Sequence, residues 1–561
     1  MRNLVSLRHL HFDDPKLVPA EVRLLTRIQT LPFFVVGPNH MVEELGCLNE
    51  LRGELQICKL EQVRDREEAE KAKLRGKRMN KLVLKWSLEG NSNVNNEYVL
   101  EGLQPHVDIR SLTIEGYGGE YFPSWMSTLP LNNLTVLRMK DCSKCRQLPA
   151  LGCLPRLKIL EMSGMRNVKC IGNEFYSSSG GAAVLFPALK ELTLEDMDGL
   201  EEWIVPGREG DQVFPCLEKL SIWSCGKLKS IPICRLSSLV QFRIERCEEL
   251  GYLCGEFHGF ASLQILRIVN CSKLASIPSV QHCTALVELS IQQCSELISI
   301  PGDFRELKYS LKRLIVYGCK LGALPSGLQC CASLRKLRIR NCRELIHISD
   351  LQELSSLQGL TISSCEKLIN IDWHGLRQLR SLVELEISMC PCLRDIPEDD
   401  WLGSLTQLKE LSIGGCFSEE MEAFPAGFLN SIQHLNLSGS LQKLKIWGWD
   451  KLKSVPHQLQ HLTALEKLSI RDFKGEEFEE ALPEWLANLS SLRRLEIANC
   501  KNLKYLPSSA AIQRLSKLKK FQIWWGCPHL SENCRKENGS EWPKISHIPT
   551  IIIERTRVQV S

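Results

Sequence analysis

At 561 residues the chain exceeds what one globular core usually serves, so it holds several domains or a repeat array. A composition of 43% hydrophobic and 24% charged residues excludes a disordered chain. The 70 basic and 66 acidic residues leave a net charge of +4, too small to carry wholesale binding to nucleic acid or a membrane surface. No run of about 18 apolar residues is present to span a bilayer. The start, Met1-Arg2-Asn3-Leu4, is too polar for a secretory leader and reads as the inside of a repeat.

One motif recurs along the chain. Divergent copies begin at Leu7, Met79 and Ile109, and clearer ones at Leu134, Leu157 and Leu189. The stretch Leu217-x-x-Leu220-x-Ile222-x-x-Cys225-x-x-Leu228-x-x-Ile231-Pro232 sets the template, with further copies from Leu239, Leu263, Leu286, Leu311, Leu334, Leu357, Leu382, Leu408, Leu441, Leu465, Leu492 and Leu518. Spacings of mostly 22–28 residues and this consensus identify leucine-rich repeats, roughly 20 in all. Period-two alternation around Leu220 and Ile222 predicts a short strand with one buried face. One repeat cannot bury that face alone, so stacking must build a parallel sheet. The expected fold is an α/β repeat solenoid, a horseshoe with a parallel concave sheet and an irregular or short-helical convex side. Proline after the turn, as at Pro232, is expected outside the hydrogen-bonded ladder.

Three regions follow from the pattern. Residues 1–130 are divergent repeats and include a charged helical segment, 64–78, with a Glu67–Lys71 pair and a place on the convex side. Residues 131–526 are regular repeats, in which Tyr176–Ala183 and Gly207–Gln212 are surface insertions. Residues 527–561 leave the pattern and cap the core.

Eleven copies carry cysteine at the ninth position: Cys142, Cys225, Cys247, Cys271, Cys294, Cys319, Cys342, Cys365, Cys390, Cys416 and Cys500. That slot points inward, where a small thiol packs well. A reduced, buried ladder is the expectation, and with it a reducing, cytoplasmic location. Five N-x-S/T sequons, at Asn133, Asn270, Asn436, Asn488 and Asn538, read as chance in Asn- and Ser-rich strand ends.

No chemistry emerges. The chain lacks a phosphate-binding G-x-x-x-x-G-K-[ST] loop, so nucleotide hydrolysis by this chain is not expected. His457 and His461 have zinc-protease spacing without the general-base Glu and read as a surface pair, and Cys142 and Cys145 as core thiols. Cys390/Cys392 and Cys330/Cys331 follow from repeat position. We expect no enzyme, no cofactor and no metal.

The third, fifth and seventh motif positions flank the buried leucines and must point away from the core, giving three columns on the concave face. Aromatic and Arg residues there are the usual anchors of protein interfaces. The candidate protein-binding residues are Trp223, Tyr317, Arg338, Arg340, Lys443, Lys445, Trp447, Arg471, Arg494, Lys520 and Trp524. Trp447 and Trp524 amid Lys and Arg make a basic, aromatic strip over the C-terminal third, after an acidic stretch at Glu384, Glu386 and Glu410. Interspersed Glu residues argue against nucleic acid as the partner.

Several segments resemble plant intracellular disease-resistance proteins of the coiled-coil, nucleotide-binding, leucine-rich-repeat class. They are Leu45-Gly-Cys-Leu-Asn-Glu-Leu-Arg-Gly-Glu-Leu-Gln-Ile57, Leu60-Glu-Gln-Val63, Val99-Leu-Glu-Gly-Leu-Gln-Pro-His106, Phe122-Pro-Ser-Trp-Met126, Cys527-Pro-His-Leu530 and Trp542-Pro-Lys-Ile-Ser-His-Ile548. The resemblance implies a sensor that binds a protein ligand, a pathogen effector or a guarded host protein, and regulates a nucleotide-binding switch domain in cis or trans. That domain is missing from this sequence, so the chain reads as the repeat portion, a fragment or truncated product. The competing expectation is a repeat adaptor, such as the substrate-reading module of a ubiquitin ligase.

Overall fold

The computed structural model describes residues 6–12, 14, 18, 21–87, 96–176, 184–206, 212–233, 236–257, 259–394, 397, 400–415, 421–438, 441–554 and 556–560. The chain divides into two compact units, Met1–Leu286 and Val287–Ser561.

Each unit is built as the alternation dictates. In the first, parallel strands pair in chain order from Phe33–Val35, Gly53–Cys58 and Met79–Lys85 through Ser111–Glu115, Val136–Lys140, Ile159–Ser163, Glu191–Glu195 and Lys219–Trp223 to Gln241–Glu245 and Ile265–Val269. The register keeps like positions together, so Leu220 faces Phe242 and Ile222 faces Ile244, all fully buried. In the second unit the same pairing runs from Glu288–Gln292 to Thr550–Ile553, and an antiparallel strand, Thr556–Val560, closes its end. A one-residue slip would turn every leucine to water, which is why the register holds repeat after repeat. The chain is a leucine-rich-repeat solenoid.

The strand-free side carries short helical turns, as expected, and also short second ladders such as Ser230–Pro232 with Tyr252–Cys254. Pro232 thus lies inside a ladder, contrary to expectation. It is tolerated as the last residue there, because the next donor is the Ile233 amide, bonded to the Cys254 carbonyl at 2.8 Å. Longer repeats of the first unit are filled by aromatics: Phe186 stacks on Phe214 at 5.0 Å, and Trp203 Nε1 donates to the Tyr176 hydroxyl at 2.7 Å. Most of the two insertions, 177–183 and 207–211, lies outside the described residues.

The inward slot is occupied as the motif requires. Cys225, Cys247, Cys342 and Cys365 are buried, and each thiol donates to the carbonyl two residues back, at 3.6, 3.7, 3.6 and 3.6 Å. The described ladder cysteines are thiols, not disulfides, and Cys416 lies outside the described residues. Burial pushes the Cys142 and Cys342 thiols well above their ordinary range and Cys319 up to about 12. Where cysteine gives way, larger side chains fill the slot, as Trp449 does against Phe424 at 4.9 Å. The ladder also runs on to Cys527, whose sulfur accepts the Cys500 amide at 3.3 Å. Cys145 is buried and donates to the Gln147 carbonyl at 3.1 Å, and both His457 and His461 are exposed.

To aim cysteine inward, the residue before it turns left-handed. Asp141, Ser224, Arg246, Asn270, Gln293, Asn341, Ser364, Met389 and Asn499 all do so, with φ between 51° and 56°. Asn and Asp tolerate this region best, which accounts for the asparagine of the sequon at Asn270 without a glycan. Arg246 is exposed there. Arg246→Asn should stabilise the chain by about 0.5–1 kcal/mol, seen as a higher urea midpoint; an unchanged or lower midpoint would contradict this account of the turn.

The charged segment forms a short α-helix, Arg66–Glu70, capped by Asp65, whose side chain accepts the Glu68 amide at 2.9 Å, and then a single 3-10 turn, Leu74–Gly76. Its i,i+4 pairs are Arg64–Glu68 at 3.0 Å and Arg66–Glu70 at 2.7 Å, whereas Lys71 turns to Glu43 at 3.8 Å. The expected Glu67–Lys71 pair does not form, because the helix ends at Glu70 and Lys71 faces the preceding repeat. Beyond Cys527, helices Pro528–Asn533 and Trp542–Ile545 cover the last repeats, tied down by buried Glu541, which accepts the Leu506 amide at 2.7 Å. No helix among the described residues is long and apolar enough to cross a membrane.

Candidate functional site

The solvent face of the sheet is read by register. In the first unit its charges largely neutralise one another across strands: Arg138–Glu161 at 2.9 Å, Lys219–Glu191 at 2.6 Å and Arg267–Glu245 at 3.3 Å. Trp223 stands beside them, 37% exposed.

The second unit gathers most of the candidates. Strand Gly359–Ser363 presents only small side chains, Gly359, Thr361 and Ser363, and is buried along its whole length. It forms a trough between strands Lys336–Arg340 and Glu384–Ser388. Across it Arg340 reaches Glu386 at 2.5 Å and Lys336 reaches Glu384 at 3.6 Å. Further along, Lys443 pairs with Glu410 at 2.5 Å. Glu496, with its side chain 6% exposed, draws in Lys467 at 2.8 Å, Arg471 at 3.4 Å and Arg494 at 3.8 Å.

These groups line one open depression of about 320 Å³, with Arg338, Arg340, Lys443, Lys445, Lys467 and Arg471 facing Glu384, Glu386, Glu410 and Glu496. Six cations therefore meet four carboxylates. Lys445 and Arg338 have no carboxylate within ion-pair distance among the described residues, and the Arg338 Nε is enclosed without a hydrogen-bond partner. The Lys445 ammonium lies over the Trp447 ring, 4.0 Å from its centroid. Burial, and then the neighbouring Arg471 guanidinium, push this ammonium down to about 8. Trp447 Nε1 donates to Ser412 Oγ at 3.2 Å, which fixes the ring, and Arg471 approaches its edge of the face at 5.7 Å. On the other side of Trp447 a second depression of about 400 Å³ is walled by Met389, Pro391, Trp449, Asp450 and Asp472.

The sequence strip is thus regrouped. Arg338, Arg340, Lys443, Lys445, Trp447 and Arg471 come together. Tyr317 pairs in register with Arg340 one strand away, and Arg494 is engaged by Glu496. Lys520 lies in register with Arg494, on the strand beyond it. Trp524 is half-buried with its Nε1 enclosed, and its neighbour Trp525, 53% exposed, is the more open ring. Nor do all fifth-position residues stand clear of the core: Ser290, Thr361, Ser469, Glu496 and Gln522 are buried. Strands about 4.8 Å apart let the long side chains of the outer columns close over the central one. The acidic stretch and the basic strip are one mosaic, which reading the columns across strands rather than along the chain would have found.

Two sequence profiles of plant resistance-protein repeats match: R13L1/DRL21 leucine-rich repeats over residues 42–165 and 429–524, and RPS2-like disease resistance protein repeats over residues 300–417. The repeats of this chain are similar to those of plant disease resistance proteins. Putative disease resistance RPP13-like protein 1 of Arabidopsis thaliana is 33% identical over 341 residues, 56% of this chain and 31% of that protein. Putative disease resistance protein RGA1 of Solanum bulbocastanum is 34% identical over 211 residues, 37% of this chain and 20% of that protein. The matches cover less than a third of either relative. Among solved structures, a leucine-rich-repeat protein of Leptospira interrogans aligns over 90% of both chains with 17% identity and a TM-score of 0.34.

Proposed function

We propose that this chain is the ligand-sensing part of a plant defence receptor. Its sheet face binds a pathogen effector or a guarded host protein and so regulates a nucleotide-switch domain carried in cis or in trans. The observation that carries this reading is the depression beside Trp447, where a fixed aromatic ring and unneutralised cations share one surface. The disease-resistance relatives support the defence role, and the thiol ladder suits a reducing cytoplasm.

The test is a binding panel of purified effectors and the host proteins they target, measured against the purified chain by interferometry. One member should bind, and Trp447→Ala should weaken it by about tenfold or more while the urea midpoint stays in place. Arg471→Ala is a less clean probe, because Arg471 also neutralises buried Glu496. A binder indifferent to Trp447→Ala, Tyr317→Ala and Trp223→Ala would move the site off this face.

A further inference from the structure

The fifth-position column around Lys445 has an arrangement the pairing scheme leaves unused. In register, Ser412, Lys445 and Ser469 are consecutive on three adjacent strands. Ser412 Oγ accepts from Trp447 Nε1 at 3.2 Å, and Ser469 Oγ accepts from Arg471 Nε at 2.9 Å. Each hydroxyl oxygen is thereby engaged as an acceptor, while its proton has no acceptor among the described residues. Between them lies the one half-buried ammonium of this column, held on the Trp447 face and without an acid in reach. The three groups line the same depression as potential donors, with Arg340, Lys467 and Arg471 supplying further positive potential.

We propose that this part of the depression is a carboxylate pocket, which takes a single Asp or Glu side chain projecting from the protein partner. The proposal rests on the reading of this face as a protein-binding surface. Charge and the placement of donors both favour a single acid. The depression has two cations in excess, and only the part around Lys445 offers an ammonium between two serine hydroxyls. Glu386, Glu410 and Glu496 line the same rim, so a polyanion such as a nucleic-acid strand would meet repulsion within one further phosphate. Beyond Trp447, Glu366, Asp450 and Asp472 face Lys474 alone, which pairs with Asp472, so that side is net acidic and disfavours an anion. An incoming carboxylate would accept from the Lys445 ammonium and both serine hydroxyls. It would also favour the charged form of that ammonium, which burial opposes.

The experiment is a selection of random peptides displayed on phage against the folded full-length chain, repeated on Lys445→Met and on Ser412→Ala. Peptides retained by the wild type and released by Trp447→Ala should carry Asp or Glu at one recurrent position. Changing that residue to Asn or Gln should weaken binding by about tenfold, the scale of one charge-assisted bond. Lys445→Met should lose the preference for an acid, and Ser412→Ala should weaken the acidic peptide severalfold while keeping the fold by circular dichroism. A synthetic peptide with phosphoserine at that position separates a monoanionic pocket from a phosphate-reading one: tighter binding of the phosphopeptide would overturn the carboxylate assignment. So would displacement of the peptide by an equal concentration of single-stranded DNA. Peptides that need Trp447 but carry no acid would overturn the pocket and leave the protein-binding face standing. If no selected peptide depends on Trp447, the pocket falls, and the protein-binding face falls with it only if the peptides are also indifferent to Tyr317→Ala and Trp223→Ala.

Discussion

Raising the pH from 9 toward 12 should unfold this chain progressively, well before its backbone chemistry is at risk. Burial pushes the thiols of Cys145, Cys283, Cys319, Cys331 and Cys534 from an ordinary 9.0 up to about 12. Between those values the unfolded chain has lost these protons and the folded chain still holds them. The stabilisation is therefore complete below pH 9 and is lost as the pH rises through the folded values. Each such group steepens the fall by about 1.4 kcal/mol per pH unit. Because repeats contact only their neighbours, loss should begin locally and then spread. Urea midpoints measured across that window should drop steeply, and Cys319→Ala should flatten the slope by one group's share while lowering the neutral-pH midpoint. A midpoint unchanged up to pH 11 would show that these five thiols are not buried as described. The same burial sets thiol reactivity at neutral pH. The exposed Cys47, Cys153, Cys216 and Cys392 should alkylate first, and the buried ladder only on unfolding.

The second large effect concerns Glu496. Its carboxylate is nearly closed off from water and is the shared partner of Lys467, Arg471 and Arg494. Glu496→Ala leaves three cations facing one another over a cavity. Breaking a buried pair by removing one partner costs about 3–5 kcal/mol, and because these cations still reach water the loss should lie near 3 kcal/mol. Glu496→Gln keeps an acceptor for the cations and should lose less. The damage should be local, with faster amide exchange in strands Lys467–Arg471 and Arg494–Ala498 and none in Gly359–Ser363. If Glu496→Ala changes stability by less than about 0.5 kcal/mol, the range of an ordinary surface substitution, the cluster is a solvated one and the depression has no rigid floor on that side.

The strands, their register and the inward cysteines were legible in the motif, because each depends on residues two to nine apart and is repeated by translation. Leu220, Ile222 and Cys225 specify their own burial once a like repeat stacks on them. The early copies were harder. Strand Phe33–Val35 was not anticipated, since its segment departs from the consensus, although Gly53–Cys58 falls within the segment that carried the resemblance. The closing pair of strands was not legible, because Thr550–Ile553 stacks by shape and without the consensus. The exposed face was legible only as a list. Trp447 and Lys445 stood out by residue type, whereas Glu496 looked like one more solvated acid.

By itself, then, the sequence determined that this protein is a stack of leucine-rich repeats with a thiol ladder and a charged, aromatic face, since local alternation and repeat length leave the core no other arrangement. Only the tertiary structure decided which charges survive on that face. Arg340 finds Glu386 46 residues away because the intervening strand is small enough to reach over. Glu496 is buried because three long side chains from its own and the preceding strand close on it. Lys445 finds no carboxylate partner because the positions in register beside it are Ser412 and Ser469. Neutralisation across a sheet is set by side-chain reach between registered strands, a quantity that spacing along the chain does not contain.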